Sequence, residues 1–378
     1  MTMTFRARAF ALAAAGLLAA AAPAIAAELR IPVLVPLTGF LSLEGTSQRN
    51  GAELALREAG KDPAIAWEVS DTATSPEIAV NAFARATGEK GVVAVVAPML
   101  GTQMLALVPL ADDAGVPLLT VSGTAKITEL GSANVFRFFP GDSVVKAAQA
   151  RYAVTERGAK KPAIVYQTTA YGQSGHAALA ENLAALGISP AFEEGIDVKV
   201  KDMLPVLSKV QAAGADMLLL HLHAGSTALV IRQARAMGLD IPIVAGSAMH
   251  QPSTAALLEP AELKGVCAES GSSPISGGSP AMDGFLARYR AAFAGEPDAF
   301  ALGQYDGVRM ALAAIADGAR DAAGVRAWLA SHAHEGLAMT YRSDGAGNMA
   351  HDAVIICYDG ADRTPKIVRR YENVDGVK

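Results

Sequence analysis

The chain has 378 residues, of which 51% are hydrophobic, and it carries a formal net charge of −5 at pH 7. This acidic balance argues against a nucleic-acid-binding protein and against attachment to an anionic membrane surface, since both require basic patches. The length exceeds what one hydrophobic core usually supports, so we expect two domains.

The N-terminus is typical of a secretory signal peptide. Arg6 and Arg8 precede an apolar run from Phe10 to Ala22, and Ala24-Ile25-Ala26 forms a small-residue cleavage site. An uncleaved membrane anchor is the alternative, but the run is short for a span. We expect cleavage near Ala26, after residues 1–26, which leaves 30 basic and 37 acidic residues in a soluble, periplasmic protein.

The rest of the chain alternates short β-branched runs with alanine-rich stretches of helical periodicity. A first set predicts strands at 29–37, 65–69, 92–96 and 117–121 and helices at 48–58, 76–87 and 102–114. A second set predicts helices at 143–156, 173–186, 203–213 and 227–237 and strands at 162–166, 188–193, 217–222 and 241–245. Continuous apolar strands between helices indicate parallel sheets covered on both faces. We therefore predict an α/β protein with two doubly wound parallel-sheet lobes.

The C-terminal part departs from this alternation. It predicts helices at 282–293, 300–316 and 325–331, and several short strands. These elements are too few for a third domain, so we expect them to complete the two lobes, with the chain crossing a multi-strand hinge more than once. The predicted boundaries are 27–141 plus 272–343 for lobe 1 and 142–271 plus 344–378 for lobe 2.

The two cysteines, Cys267 and Cys357, both lie in strand-like runs. An oxidising compartment permits a disulfide between them, whereas two buried, unpaired cysteines fit the same pattern. The sequence leaves both interpretations open.

The loops that follow the predicted strands carry the candidate binding residues, because doubly wound sheets bind ligands beyond the carboxyl ends of their strands. These loops are Pro36–Gly39 with Leu43–Gly45, Pro98–Thr102 and Ser122–Thr124. They combine small residues, hydroxyl groups and backbone N–H groups ahead of helices, which suits a carboxylate. Ordinary turn and capping chemistry is the alternative.

Motifs of catalysis are sparse. The sequence contains no Gly-x-Ser-x-Gly elbow, no phosphate-binding loop and no His-Glu-x-x-His. His221 and His223 alternate on a predicted strand and could together face a cleft, with His250 as a third metal ligand. We instead expect one histidine to line the cleft and the other to be partly buried and hydrogen-bonded, with no metal and no cofactor.

Four motifs in a fixed order carry a family resemblance. They are Val35-Pro36-Leu37-Thr38-Gly39 with Arg49-Asn50-Gly51-Ala52, then Ala170-Tyr171-Gly172, then Ile231–Leu239, and then Gln304-Tyr305-Asp306-Gly307-Val308. Over nearly the whole mature chain they resemble the branched-chain amino-acid-binding proteins, the periplasmic type I solute-binding proteins of ATP-driven importers. The resemblance implies a receptor that closes on a ligand between two lobes and then docks on a membrane permease.

The resemblance also implies ligand contacts. The loop for the ligand carboxylate falls on Gly101 and Thr102, and the segment that meets the carboxylate and the ammonium falls on Ser122, Gly123 and Thr124. Tyr171 corresponds to an aromatic residue that covers the ligand.

Three positions depart from the family's pattern. His223 stands where the family has a second tyrosine, Ser247 where it has the acid that holds the ligand ammonium, and Glu44 near an aromatic position. Loss of the acid at Ser247 removes a charge-assisted contact and argues against a standard branched-chain amino acid. Glu44 offers a replacement charge from the opposite lobe, with a solvated loop carboxylate as the alternative. The expected ligand is an unusual amino acid, an amide or an organic acid.

We therefore expect a monomeric extracytoplasmic receptor of an ABC importer that captures an amino acid or related small carboxylate. Two alternatives belong to other classes. One is a sensory or regulatory module that binds an amide or organic acid. The other is a metal-dependent hydrolase that uses His221, His223 and Glu44.

Overall fold

The computed structural model describes Met1 and residues 28–60 and 64–377. The predicted signal peptide therefore lies outside the described residues, apart from Met1. No helix in the described part of the chain is long and apolar enough to cross a membrane.

The first lobe is built from the N-terminal third of the chain. Its elements are β1 (Leu29–Arg30), β2 (Val33–Val35), α1 (Ser42–Arg57), β3 (Ile65–Ala66), β4 (Val69–Asp71), α2 (Pro76–Thr87), β5 (Val95–Val96), α3 (Gly101–Ala114), β6 (Leu118–Thr120), α4 (Lys126–Glu129) and β7 (Val135–Arg137). Five of the strands form a parallel sheet in the order β4-β2-β5-β6-β7, and β1 pairs with β3. The chain places β4 on one side of β2 and then adds β5, β6 and β7 on the other side, so the order of strand addition reverses between β2 and β5.

The second lobe repeats the arrangement. It contains α5 (Asp142–Arg151), a π-helical turn (Tyr152–Glu156), β8 (Pro162–Gln167), α6 (Ala170–Ala185), β9 (Phe192–Ile196), α7 (Leu204–Ala212), β10 (Met217–His221), α8 (Ala224–Ala236), β11 (Ile243–Ala245), a 3₁₀ turn (Ser247–His250), α9 (Pro252–Ala255), a 3₁₀ turn (Pro260–Leu263) and β12 (Val266–Ser270). Here β8 pairs in parallel with both β9 and β10. The reversal point of the second sheet therefore lies between β8 and β10.

The C-terminal elements join both lobes. They are a 3₁₀ turn (Pro274–Ser276), α10 (Pro280–Ala292), α11 (Ala299–Ala316), α12 (Ala322–Ser331), β13 (His334–Glu335), β14 (Thr340–Tyr341), β15 (Ala353–Cys357) and β16 (Lys366–Tyr371). Helix α11 packs on α1 so closely that a Cβ at Gly51 would lie 2.0 Å from the Ala301 carbonyl oxygen. Strands β15 and β16 extend the second sheet in antiparallel fashion beside β12. The predicted lobe boundaries remain a prediction.

Cys267 on β12 and Cys357 on β15 form a disulfide. They are register partners on neighbouring antiparallel strands, although 90 residues separate them in sequence. The pairing settles the alternative that the sequence left open.

The observed bounds of an element differ from the predicted bounds where its buried side chains are polar. Helix α1 begins at Ser42, six residues before the predicted start. Its first turns contain Glu44, Ser47 and Gln48, which are buried but not hydrophobic, so apolar periodicity could not reveal them. By contrast, the helix predicted from Ser75 and Pro76 begins as expected, with the Ser75 hydroxyl capping the Ile78 N–H.

Candidate functional site

A cavity lies where the reversal points of the two sheets face each other. Leu41 and Glu44 follow β2, and Leu100 follows β5, whereas Tyr171 follows β8 and His223 follows β10. The cavity has a volume of about 30 Å³, or about 390 Å³ when the space that opens to solvent is counted, and it is lined by Leu41, Glu44, Met99, Leu100, Val121, Gly123, Phe139, Tyr171, His223, Ser247, Ala248 and Phe300. Its walls are thus largely apolar and include a few polar groups, as is usual for small-molecule sites.

Five of the nine ligand contacts predicted from the sequence line this cavity: Glu44, Gly123, Tyr171, His223 and Ser247. The other four, Gly101, Thr102, Ser122 and Thr124, lie next to it on the two loops of the first lobe. The structure therefore places five of the nine at the cavity, and the other four are one or two residues along the chain from residues that line it.

The loop after β6 offers hydrogen-bonding groups for an anion. Ser122 and Thr124 are buried, and neither hydroxyl has a partner among the residues that the structure describes. Thr124 packs against the start of α3, where a Cβ at Gly101 would lie 2.0 Å from the Thr124 Oγ1. The first N–H groups of α3 have no partner within the helix. Hydroxyls beside a helix N-terminus can hold a carboxylate.

A buried arginine fixes this loop from behind. The Arg137 guanidinium donates to the carbonyl oxygens of Ser122, Gly123 and Thr124 at 3.4, 3.1 and 2.8 Å, and it also contacts Asn348. Burial lowers the pKa of Arg137 to about 10, so the group remains charged at neutral pH. Because the carbonyls are held away from the cleft, the loop presents its hydroxyls instead. Arg137 was not predicted from the sequence, in which its only signal is a charge inside an apolar strand.

Glu44 reaches across the cleft. Its Oε1 accepts a hydrogen bond from the Ala224 N–H, at the start of α8, at 2.8 Å. Its Oε2 is buried and meets no partner in residues 28–60 or 64–377. The side chain is only 2% exposed, and burial raises its pKa to about 7. Glu44 is therefore a cleft carboxylate with one oxygen available to a ligand, and not a solvated loop residue.

Tyr171 and two histidines form the second-lobe wall. The Tyr171 ring lies 3.8 Å from the His221 ring and 5.2 Å from the His223 ring, between centroids. His221 Nε2 donates to the Tyr171 carbonyl oxygen at 3.1 Å, and His223 shares a hydrogen bond with the Thr169 hydroxyl. Burial lowers the pKa of His223 to about 3 and that of His221 well below its usual value, so both imidazoles are neutral.

The two histidines differ in exposure to the cavity: His223 lines it, whereas His221 is fully buried behind Tyr171. No three His, Cys, Asp or Glu side chains are grouped to hold a metal ion in the described ranges.

Ser247 stands in front of a buried ion pair that sequence analysis missed. The Ser247 N–H and hydroxyl donate to the two carboxylate oxygens of Glu269, at 2.9 and 2.5 Å. Lys146 Nζ lies 2.5 Å from the same carboxylate, and both charged side chains are 0% exposed. An acid therefore lies close to the position where the family has one, but on the neighbouring strand and behind a serine.

Direct contacts between the lobes hold the cleft closed. Besides Glu44 and Ala224, they pair the Gln251 amide with Asp298 at 2.6 Å, His250 Nε2 with the Ala299 N–H at 3.0 Å, and the Ser174 hydroxyl with the Ala125 N–H at 2.8 Å. Two of these acceptors satisfy N–H groups at the starts of α8 and α11, which lack partners within their own helices. The structure is therefore that of a closed form.

Comparisons with known proteins agree with this architecture. A family model described as "Periplasmic binding protein" matches residues 28–361. An "Amino acid binding protein" of Pseudomonas aeruginosa is 28% identical over 319 residues, which cover 81% of this chain and 83% of that protein.

Two solved structures share the fold. The branched-chain amino acid transporter substrate-binding protein LivJ of Streptococcus pneumoniae, in complex with isoleucine, superposes with a TM-score of 0.82 at 23% identity, covering 90% of this chain and 99% of that one. A solute-binding protein of R. palustris, in complex with 4-hydroxybenzoate, gives 0.82 at 17% identity, with coverages of 92% and 97%. The predicted fold class is confirmed.

Proposed function

Because this chain belongs to the periplasmic binding protein family, we propose that it captures a small amino acid with an apolar side chain, as the receptor of an ABC importer. The observation that carries the proposal is a closed cavity between the lobes, with apolar side chains around it and, at its edges, hydrogen-bonding groups that have no partner among the described residues. The similarity to an amino-acid-binding protein of Pseudomonas aeruginosa supports the ligand class.

The carboxylate of the ligand would bind at the first lobe. Ser122 and Thr124 supply two hydroxyls, and Gly101 and Thr102 open α3, whose N-terminus carries partial positive charge. Arg137 adds a full positive charge behind the loop. These groups favour an anionic ligand, although none of their side chains would form an ion pair with it.

The ammonium would bind at Glu44. Its Oε2 is buried without a partner in the described part of the chain, and a buried carboxylate oxygen without a donor is costly. An ammonium would supply the missing donor as a charge-assisted hydrogen bond. Glu44 thus takes over the charge that the family places at the position of Ser247. The side chain of the ligand would then lie against Leu41, Leu100 and Phe300.

Capture would proceed by closure of the lobes about their connecting segments. A ligand that contacts Glu44 and the Ser122–Thr124 loop on one lobe and Tyr171 and His223 on the other favours the closed form, since the open form offers only part of these contacts. We assign the lobes to 27–141 plus 272–343 and to 142–271 plus 344–378. The partner of the closed form would be a membrane permease, and the protein would work as a periplasmic monomer after signal-peptide cleavage near Ala26.

The other two functions considered from the sequence have less support. The family consists of solute-binding receptors and is not an enzyme class. His221, which a metal-dependent hydrolase would use, is fully buried and does not line the cavity. No observation on the site favours a regulatory module over a transport receptor.

A thermal-shift screen of amino acids, amides and aliphatic or aromatic acids tests the proposal. A ligand present at ~100 times its dissociation constant should add roughly 2.7 kcal/mol to the free energy of unfolding. Thr124→Ala and His223→Ala should both weaken binding of a ligand found in this way. Thr364→Ala, in an exposed loop, is the control and should not change it. If no compound in the panel raises the melting temperature, the proposal is wrong. If both site variants bind as tightly as the wild type, the site is misplaced.

A further inference from the structure

We propose that Glu269 fixes Ser247 as a hydrogen-bond acceptor toward the cavity, so that this wall selects ligands with an N–H or O–H donor on the carbon next to their carboxylate. The inference rests on the proposed function, since it assumes a carboxylate ligand in this cavity. It adds a specificity-determining residue, Ser247, and two positioning residues, Glu269 and Lys146.

The direction of the Ser247 hydroxyl follows from its partners. Ser247 follows β11 and lines the cavity, and Glu269 lies on the adjacent parallel strand β12. Both donors of Ser247, the backbone N–H and the hydroxyl, point to the Glu269 carboxylate. An ionised carboxylate can only accept, so the serine proton stays on that bond. The hydroxyl oxygen of Ser247, with its lone pairs, is therefore the group that a ligand in the cavity can contact.

The carboxylate is itself held in place. Lys146 Nζ donates to Glu269 Oε1 at 2.5 Å and to Gln149 Oε1 at 2.9 Å, and the Gln149 amide donates to the Val244 carbonyl at 2.7 Å. This network joins α5, β11 and β12, so the acceptor direction is set by three packed elements. A group whose position is fixed by such surrounding contacts loses little freedom on binding a ligand.

The ion pair also determines which donors are accepted. The Lys146 charge compensates the Glu269 charge, so the cavity meets a polarised but uncharged oxygen. A bare carboxylate at this position would favour a cation, whereas the serine oxygen accepts equally from an ammonium or a hydroxyl. Tyr171 lines the same cavity as Ser247. Since a hydroxyl oxygen has two lone pairs, the Ser247 oxygen can accept from a ligand donor while its proton stays on the bond to Glu269.

A ligand without a donor at this carbon would leave the Ser247 oxygen without a ligand partner in a buried site, and a 2-oxo ligand would also place a second acceptor against it. Leaving such a group unpaired weakens binding by roughly 10-fold to 100-fold. The inference therefore concerns a preference among carboxylates, and that preference is separate from the charge supplied by Glu44.

The test uses matched ligands: L-leucine, L-phenylalanine and their 2-hydroxy and 2-oxo analogues, measured by isothermal titration calorimetry. The hydroxy and oxo acids have the same charge and differ in the donor. Because Glu44 can accept from the same donor, their affinity ratio is measured both in the wild type and in Glu44→Ala, which separates the contribution of Ser247 from that of Glu44. The wild type should bind the hydroxy acid at least about 10-fold more tightly than the oxo acid. Ser247→Ala should lower the ratio, and Ser247→Ala combined with Glu44→Ala should bring it near one. Ser208→Ala, on the exposed face of α7, should leave it unchanged.

A double variant tests the positioning role. Lys146→Met with Glu269→Gln removes both charges together and lets the glutamine amide donate to Ser247, which frees the serine proton for the ligand. The preference should then shift toward the oxo acid. If the ion pair has only a structural role, the double variant should bind the hydroxy acid and the oxo acid more weakly to the same extent, and the ratio of their affinities should not change. If the double variant does not fold, Ser247→Ala alone still decides the acceptor role.

The outcomes separate the two proposals. If the probes bind and the wild type shows no preference, or Ser247→Ala keeps it, this inference is overturned and the proposed function stands. If folded wild-type protein binds none of the six probes, the proposed ligand class is wrong and the inference falls with it.

Discussion

The Glu44 carboxylate on α1 accepts a hydrogen bond from the Ala224 N–H at the start of α8, across the cleft and 180 residues away in sequence. One oxygen of Glu44 thereby holds the two lobes together, and the other is left for the ligand. Closure and recognition are thus joined in a single side chain. A ligand that engages Glu44 stabilises the same geometry that Ala224 requires.

Removal of the Glu44 carboxylate should weaken binding of an amino acid by about 10-fold to 100-fold, since a hydrogen bond to a charged group contributes about 1.5–3 kcal/mol. Glu44→Ala loses both the lobe contact and the ligand contact. Glu44→Gln keeps an acceptor for Ala224 and should lose less. Glu77→Gln, an exposed carboxylate in the first turn of α2, is the matched control. Calorimetry that finds equal affinity for the wild type and Glu44→Ala would remove Glu44 from the site.

Ligand binding should be linked to protons through Glu44, whose pKa is raised to about 7 by burial. An ammonium favours the ionised carboxylate and lowers its pKa on binding. Protons are then released near pH 6, and affinity falls as the pH drops from 8 to 5.5. A ligand without an ammonium should show the opposite sign, because the protonated form suits it better.

Calorimetry at pH 6 in two buffers of different ionisation enthalpy measures this proton release. Asp142 is also buried, its pKa is raised to about 7, and it contributes to the measured proton release as well. Burial lowers the pKa values of His221, His223 and His250 and so favours their neutral forms. The difference between wild type and Glu44→Gln isolates the Glu44 contribution, and equal proton release in the two proteins would refute its assignment.

Arg137→Met should lower the free energy of unfolding by about 3–5 kcal/mol, because it leaves three buried carbonyls and the nearby Asp142 without their cation. Urea denaturation measures this loss. The variant should also bind the ligand more weakly, since the Ser122–Thr124 loop loses its support. Arg370→Met, at an exposed position on β16, should stay within about 0.5 kcal/mol of the wild type. A small effect at Arg137 would show that the loop holds its shape unaided.

Gly175→Ala should destabilise the protein by about 1–3 kcal/mol, since the added Cβ would lie 2.0 Å from His221 Nε2 and the rigid ring must shift. The Tyr171 ring packs against that ring at a tilt, with 3.8 Å between the centroids, so ligand affinity should fall as well. Gly225→Ala is the control on α8: its Cβ would meet open space. Its melting temperature should be unchanged or slightly higher, because alanine favours helix. Equal melting temperatures for the two variants would contradict the close packing at His221.

Much of the architecture is encoded locally and is readable from the sequence. Apolar runs such as Met217–His221 specify strands, Ser75 and Pro76 specify a helix start, and the alternation of such segments specifies two wound sheets. The loops at Gly101 and Ser122 follow from the same order, because ligands of such sheets bind beyond the carboxyl ends of strands. Each of these features depends on residues within one turn or strand of each other.

The decisive features of the site depend on segments far apart in the chain. Cys267 pairs with Cys357 because β12 and β15 are neighbours, and Glu269 reaches Ser247 from the adjacent strand. Glu44 becomes a buried cleft carboxylate only because α8 presents the Ala224 N–H to it. Whether a charge is solvated or buried, and which group it meets, depends on the surrounding packing and not on its sequence neighbours. The sequence therefore determined the lobes and the location of the cleft, and the tertiary structure alone decided which charges act in it.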